Sequence, residues 1–173
     1  MKRHTPFLIL GLMAATPPLI AQDAHSTWRA DVSTLDAIIE AYYDIVSGPA
    51  GEVADRARDK FIHRPDALVA ITGVNQDGEG VISTMTIDEY HDRAGGPRRE
   101  PFYEYELHRL VQRFGNVAHV WSTYASSRTP GGEPYARGIN SIQLYFDGDR
   151  WWVTNWIFDS ERSGNPIPAE YLP

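Results

Sequence analysis

Ile139-Asn140-Ser141-Ile142-Gln143-Leu144-Tyr145-Phe146, then Asp147-Gly148, then Trp151-Trp152-Val153-Thr154-Asn155-Trp156-Ile157-Phe158 decide the fold class of this 173-residue chain. Both runs are built from β-branched and aromatic residues, which suit a pleated, half-buried surface. Asp-Gly between them makes a tight hairpin, because glycine accepts positive φ at no steric cost. Immediately upstream, Phe102 to Phe114 and Val117 to Ser126 read as two more strands turned at Gly115-Asn116. Ser127 to Tyr135, with Pro130-Gly131-Gly132 and Pro134, reads as a mobile hairpin loop.

The first half of the chain carries helical spacing instead. Leu35, Ile38, Ile39, Tyr42, Ile45 and Val46 recur on one face after the helix-start pattern Ser33-Thr34-Leu35-Asp36, and Ser47-Gly48-Pro49 stops the run. A second, shorter helix is expected from Glu52 to Phe61. His63-Arg64-Pro65-Asp66 reads as a turn before a strand from Ala67 to Thr72. After a polar turn at Gly73 to Gly80 and a short strand at Val81-Ile82-Ser83, Thr86-Ile87-Asp88-Glu89 is a capping box that opens a third helix. Helices first and long antiparallel strands last give an α+β architecture.

The order of these elements resembles the nuclear transport factor 2-like superfamily, in particular its SnoaL-like branch. The matching pieces are Phe61-x-x-x-Pro65-Asp66-Ala67, Asp88-Glu89-Tyr90, Phe114-Gly115-Asn116-Val117-Ala118, Arg137-Gly138-Ile139-Asn140 and Asp147-Gly148-Asp149-Arg150-Trp151-Trp152-Val153. The resemblance implies a curved antiparallel sheet wrapped on three N-terminal helices, a cone with a pocket at its open end, and often a dimer. It implies no single activity, since one fold hosts many functions. Relatives that are enzymes use a first-helix tyrosine and an acid on a cavity-lining strand. Tyr42 fits the first element. The strand Ile139–Phe146 lacks the second, its polar residues being only Asn140, Ser141 and Gln143.

Alternation along the strands selects the remaining candidates. Ile142, Leu144 and Phe146 must face the core, which carries Asn140 inward. Trp152, Trp156 and Phe158 form the bulky set of the last strand, with Thr154 among them. An apolar wall with isolated polar points is how a small-molecule pocket is composed, so Tyr42, Asn140, Thr154 and Trp156 are candidate ligand contacts. The same residues also fit a filled core with satisfied hydrogen bonds. Arg137, beside the flexible loop, is a candidate clamp for an anionic group at the rim, or an ordinary surface charge.

Glu104 and Glu106 share a strand face with His108, and His119 sits on the neighbouring strand. If they point inward, Glu104, Glu106 or His119 can replace the missing acid; if outward, the carboxylates pair with arginines in solvent. The opposite face mixes Tyr103, Tyr105, Leu107 and Val111 with Arg109 and Arg113, so alternation alone leaves both orientations open. With no phosphate-cradling glycine loop, nucleophile elbow or paired histidine ligands, neither a cofactor nor a metal is expected.

Met1-Lys2-Arg3-His4, the apolar run Phe7 to Ala15 and the ending Leu19-Ile20-Ala21 form an export signal over residues 1–21, and a secreted or periplasmic location is expected. An extension at 22–30, one domain at 31–162 and an irregular tail at 163–173 follow. Sixteen basic residues against 23 acidic ones give a net charge of −7, a surface that disfavours nucleic acid and anionic lipid. No apolar stretch of the mature chain is long enough for membrane insertion. Without cysteine there is neither a disulfide framework nor thiolate chemistry. Two functional readings follow: binding of a small, largely apolar molecule, or an isomerase, dehydratase, cyclase or hydrolase using Tyr42 with one of the acids. Trp151, Tyr145, Val153 and Ile157 are expected on the outer sheet face, where they would join two copies into a homodimer.

Overall fold

The computed structural model describes residues 27–173, so the export signal expected at 1–21 and the first part of the expected extension lie outside the described residues. A 3-10 turn at Ala30–Val32 leads into α1 (Leu35–Val46), α2 (Arg56–Ile62), β1 (His63–Val74), β2 (Gly80–Thr86) and α3 (Ile87–Ala94). The strands β3 (Tyr103–Phe114), β4 (Val117–Ser127), β5 (Pro134–Phe146) and β6 (Trp151–Ser160) follow. All six strands join one open sheet in the order β2-β1-β6-β5-β4-β3. Every pair is antiparallel except β1–β6. Three helices on a mostly antiparallel sheet are the α+β arrangement expected.

The caps follow from short polar side chains that satisfy orphan backbone donors. Thr34, rather than Ser33, caps α1 by accepting from the Ala37 amide at 3.0 Å. The capping box of α3 forms between Thr86 and Glu89. The second helix starts later than expected, at Arg56, because Asp55 accepts from the Arg58 amide. His63 to Asp66 is not a turn but the irregular first part of β1, whose register against β6 shifts between His63 and Leu68.

The core forms where the apolar stripe of α1 meets the inner sheet face: Ile38, Ile39 and Ile45 pack with Val69, Val120, Ile142 and Val153. Two β-bulges decide which residues reach it. On β6, Gln143 pairs with Asn155 and Leu144 with Val153, leaving Thr154 as the additional residue. A bulge reverses side-chain parity beyond it. Trp151 and Val153 therefore join Trp156 on the inner face, 3% and 0% exposed. This corrects the expected outer patch, which loses two of its four residues. Trp152 is correspondingly turned outward, where its indole donates to Asp147 at 2.7 Å and Arg150 stacks on its ring. On β3, Glu106 pairs with Tyr124 and His108 with Thr123, so Leu107 is the additional residue. Glu104 and Glu106 before the bulge, and Arg109 after it, all face inward.

The C-terminal tail is more ordered than expected. Ile167 is buried, Ala169–Tyr171 form a 3-10 turn, and Thr123 donates to the Tyr171 carbonyl at 2.6 Å. Among the described residues no helix is long and apolar enough to cross a membrane.

Candidate functional site

The inner face and the helices enclose a cavity of about 140 Å³. Its walls are mostly aromatic. Trp156 from β6 meets Tyr42 of α1 and Tyr90 of α3 edge-to-face, at centroid distances of 6.1 and 5.5 Å. Phe158 and Tyr124 close one side, again edge-to-face. Tyr124 fits only because β5 carries Gly138 opposite it: a Cβ there would collide with the Tyr124 hydroxyl and the Asp159 carbonyl.

Three polar groups, Tyr42, Asn140 and Glu104, also line the cavity. The beginning of β3 is docked onto the end of α1 by Ser47, whose hydroxyl accepts from the Glu104 amide at 2.9 Å and donates to the Tyr43 carbonyl at 2.8 Å. Arg98 ties down the same helix end by donating to the Val46 and Ser47 carbonyls. Glu104 is thereby held in the cavity wall, and it also lines a groove of about 460 Å³ between α1, β3 and the loop at Pro130 and Gly131.

No ion pair reaches Glu104 among the described residues. Burial pushes its carboxyl up to about 7, although hydrogen bonds from Ser126 and Asn140 act in the opposite direction. The Ser126 hydroxyl donates at 3.3 Å. The Tyr42 hydroxyl donates to Asn140 Oδ1 at 3.5 Å, a distance at the limit of hydrogen bonding. Burial raises the Tyr42 phenol well above its ordinary value, so it stays a proton donor. A protonatable carboxyl, a phenol and an amide thus meet on one small, aromatic-walled space. Such a set can bind a polar atom and move a proton to or from its neighbour.

A second buried cluster forms the opposite wall. Asp59 accepts from His63 Nδ1 at 3.1 Å and from His91 Nε2 at 2.8 Å. Burial would raise Asp59, but its hydrogen bonds to the two histidines outweigh it and hold the carboxyl at about 2. Trp156 Nε1 donates to His63 Nε2 at 3.1 Å. An indole nitrogen can only donate, so the His63 proton sits on Nδ1 and both ring nitrogens are occupied. This network fixes the Trp156 ring.

Tyr42, Asn140, Trp156 and Glu104 are thus brought together. The other candidates are elsewhere. Glu106 is clamped by Arg109 and accepts from Ser122, behind Tyr43. His119 faces the outer side of the sheet, where it hydrogen-bonds Ser141 at 3.0 Å. Thr154 occupies the β6 bulge and donates to the Gln143 carbonyl. Arg137 is paired with Glu161 through two hydrogen bonds of 2.9 and 3.1 Å. Sequence reasoning missed Asp59, His63, Tyr90 and Tyr124. The spacing Asp59-x-x-x-His63 was a usable signal, but reading His63 as a turn residue hid it. Among the described residues no group of three His, Cys, Asp or Glu side chains is arranged to hold a metal ion.

No family model matches the sequence, and no curated protein does. Solved structures do. The β subunit of a protein provisionally named an aromatic-ring-hydroxylating dioxygenase, from Novosphingobium aromaticivorans, superposes with a TM-score of 0.55 at 14% identity, over 83% of this chain and 94% of that one. A protein from Parabacteroides distasonis, provisionally named a ketosteroid isomerase, gives 0.50 at 10% identity, over 73% and 87%. This is the nuclear transport factor 2-like fold. A Mycobacterium tuberculosis protein of unknown function matches the same fold at 0.55 and 15% identity, over 88% of this chain and 82% of that one. In the nuclear transport factor 2-like frame, the cavity lies between the helices and the inner sheet face, where Glu104 and Tyr42 meet.

Proposed function

We propose that this protein takes a small neutral molecule into the aromatic cavity and exchanges a proton with it through Glu104. The observation that carries this reading is the position of the Glu104 carboxyl, buried in the cavity wall with no ion pair among the described residues, where burial pushes it up to about 7. At neutral pH such a group is divided between acid and base forms, the condition under which acid–base catalysis is most effective. Tyr42 supplies the donor for an oxygen of the ligand, since its long bond to Asn140 is readily exchanged for a better acceptor. Volume limits the ligand. A cavity of about 150 Å³ accommodates benzene, so the expected substrate is one ring in size and carries a carbonyl or hydroxyl.

Cyclohexanone is a suitable probe. Glu104 as carboxylate removes a proton from the carbon beside the carbonyl, Tyr42 donates to the enolate oxygen, and solvent exchange on Glu104 returns a deuteron. The protein is expected to accelerate deuterium uptake in D2O, and Glu104→Gln to reduce that acceleration by about 100-fold, the usual worth of a positioned base. Equal exchange in both proteins would sink the proposal. If the probe binds without exchanging, the apolar walls favour the second reading, a binding protein for small apolar molecules.

Export through residues 1–21 to a secreted or periplasmic location belongs to the same proposal, supported by the basic start and short apolar run. So does pairing of two copies through the outer sheet face, now resting on Tyr145 and the half-exposed Ile157. Native mass spectrometry of the protein from its own host reads both: an uncleaved or monomeric mass removes the corresponding claim.

A further inference from the structure

A chain of hydrogen bonds leaves the cavity and ends on an ion pair. Tyr42 donates to Asn140 Oδ1, Asn140 Nδ2 donates to the Tyr43 hydroxyl at 3.1 Å, and that hydroxyl lies 2.6 Å from Ser122 Oγ. Ser122 donates to one Glu106 oxygen, and Arg109 Nε holds the other at 2.6 Å. Arg109 is itself anchored on α1 by Asp36 at 2.8 Å.

The direction of every link follows from the last member. A carboxylate paired with arginine has no proton to give, so Ser122 must donate to it. The one Ser122 proton is then committed, so Tyr43 must donate to Ser122. The Tyr43 oxygen can now only accept, and the Asn140 group facing it must be the NH2. Asn140 therefore turns its nitrogen toward Tyr43 and its carbonyl toward Tyr42. That nitrogen is also the only part of Asn140 able to donate to the Glu104 carboxylate.

We infer that Glu106, paired with Arg109, is a positioning residue for the cavity: through Ser122 and Tyr43 it fixes the Asn140 amide so that N–H, not carbonyl, faces Glu104. The inference rests on the reading of Glu104 as the proton-exchanging group. It assigns work to a carboxylate that never touches the ligand, and explains why a serine and a tyrosine are buried as a connected pair. A purely structural Glu106 would change stability when altered, and the loss of its charge beside Arg109 would leave or lower the Glu104 midpoint, never raise it.

The titratable neighbours do not obscure that readout. Tyr42 and Tyr43 from α1, Tyr90 from α3 and Tyr124 from β4 face Glu104, and burial raises all four phenols. Asp59, on the far wall, is committed to two histidines.

The test is a 13C NMR titration of the Glu104 carboxyl in the wild type, Glu106→Gln and Ser122→Ala. With glutamine at 106 the amide can donate to Ser122 and the chain is free to run backwards. Without the serine hydroxyl, Tyr43 is released to donate to Asn140. Either change lets the Asn140 carbonyl turn toward Glu104 and disfavour its anion. The midpoint is expected to rise by about one pH unit in both variants. An unmoved midpoint in a folded variant overturns the inference. Ser122→Ala keeps the Glu106–Arg109 pair, so it decides the matter alone if Glu106→Gln fails to fold. A midpoint near 7 that moves in neither variant removes only the relay. A wild-type midpoint in the ordinary glutamate range removes the reading of Glu104 and this inference with it.

Discussion

Glu104 and Glu106 lie two residues apart on the same face of β3, yet among the described residues one is hydrogen-bonded by Ser126 and Asn140 and meets no cation, while the other is clamped by Arg109. The difference comes from the backbone between and beyond them. Leu107 is bulged, so Arg109, which strict alternation would place on the outer face, turns inward to meet Glu106. The bulge is too far along to serve Glu104, which faces the aromatic cavity instead. Residue type and strand face are the same in both cases. Which carboxylate is an ion-pair member and which can exchange a proton is set by where the positive charge is delivered.

The largest expected effect comes from making the two alike. Arg109→Leu leaves Glu106 partly buried without its cation and should cost about 3 kcal/mol at pH 8. Urea denaturation at pH 8 measures it; a cost below about 1 kcal/mol would mean that Glu106 is solvated like a surface carboxylate.

Removing the charge at Glu104 should act in the opposite sense. Its folded-state value of about 7 lies above the unfolded value of 4.5, so the folded protein binds the additional proton between those limits. Wild-type stability therefore falls as pH rises through that window and is level above it. Glu104→Gln should stabilise by about 2 kcal/mol at pH 8 and scarcely at pH 4. Destabilisation at pH 8 would show that the ionised form is well accommodated.

A smaller effect tests the wall beside Glu104 without touching Glu106. Gly138→Ala pushes on the Tyr124 ring and should cost about 1–2 kcal/mol, with loss of probe binding followed by titration calorimetry. Unchanged affinity would take Tyr124 out of the site.

The sequence carried the long strands, the capping box of α3 and the inward orientation of Tyr42 and Asn140, because those depend on local periodicity and short-range polar contacts. It did not carry the two bulges. Alternation predicts faces only while the period of two persists, and the additional residues Leu107 and Thr154 have no local signature. From that came the misplacement of Trp151 and Val153 and the undecided face of Glu104. His63 was lost for a related reason: Pro65-Asp66 looks like a turn, whereas the irregular start of β1 absorbs it within the sheet.

The central claim is that Glu104 holds its proton near neutral pH because the fold buries it in a cavity wall with no ion pair among the described residues. Following the Glu104 carboxyl carbon by NMR from pH 4 to 9 tests it directly. The account predicts a single midpoint at about 7. A midpoint near the ordinary glutamate value of 4.5 would mean that water or an unrecognised partner reaches the carboxylate, and the account would be wrong.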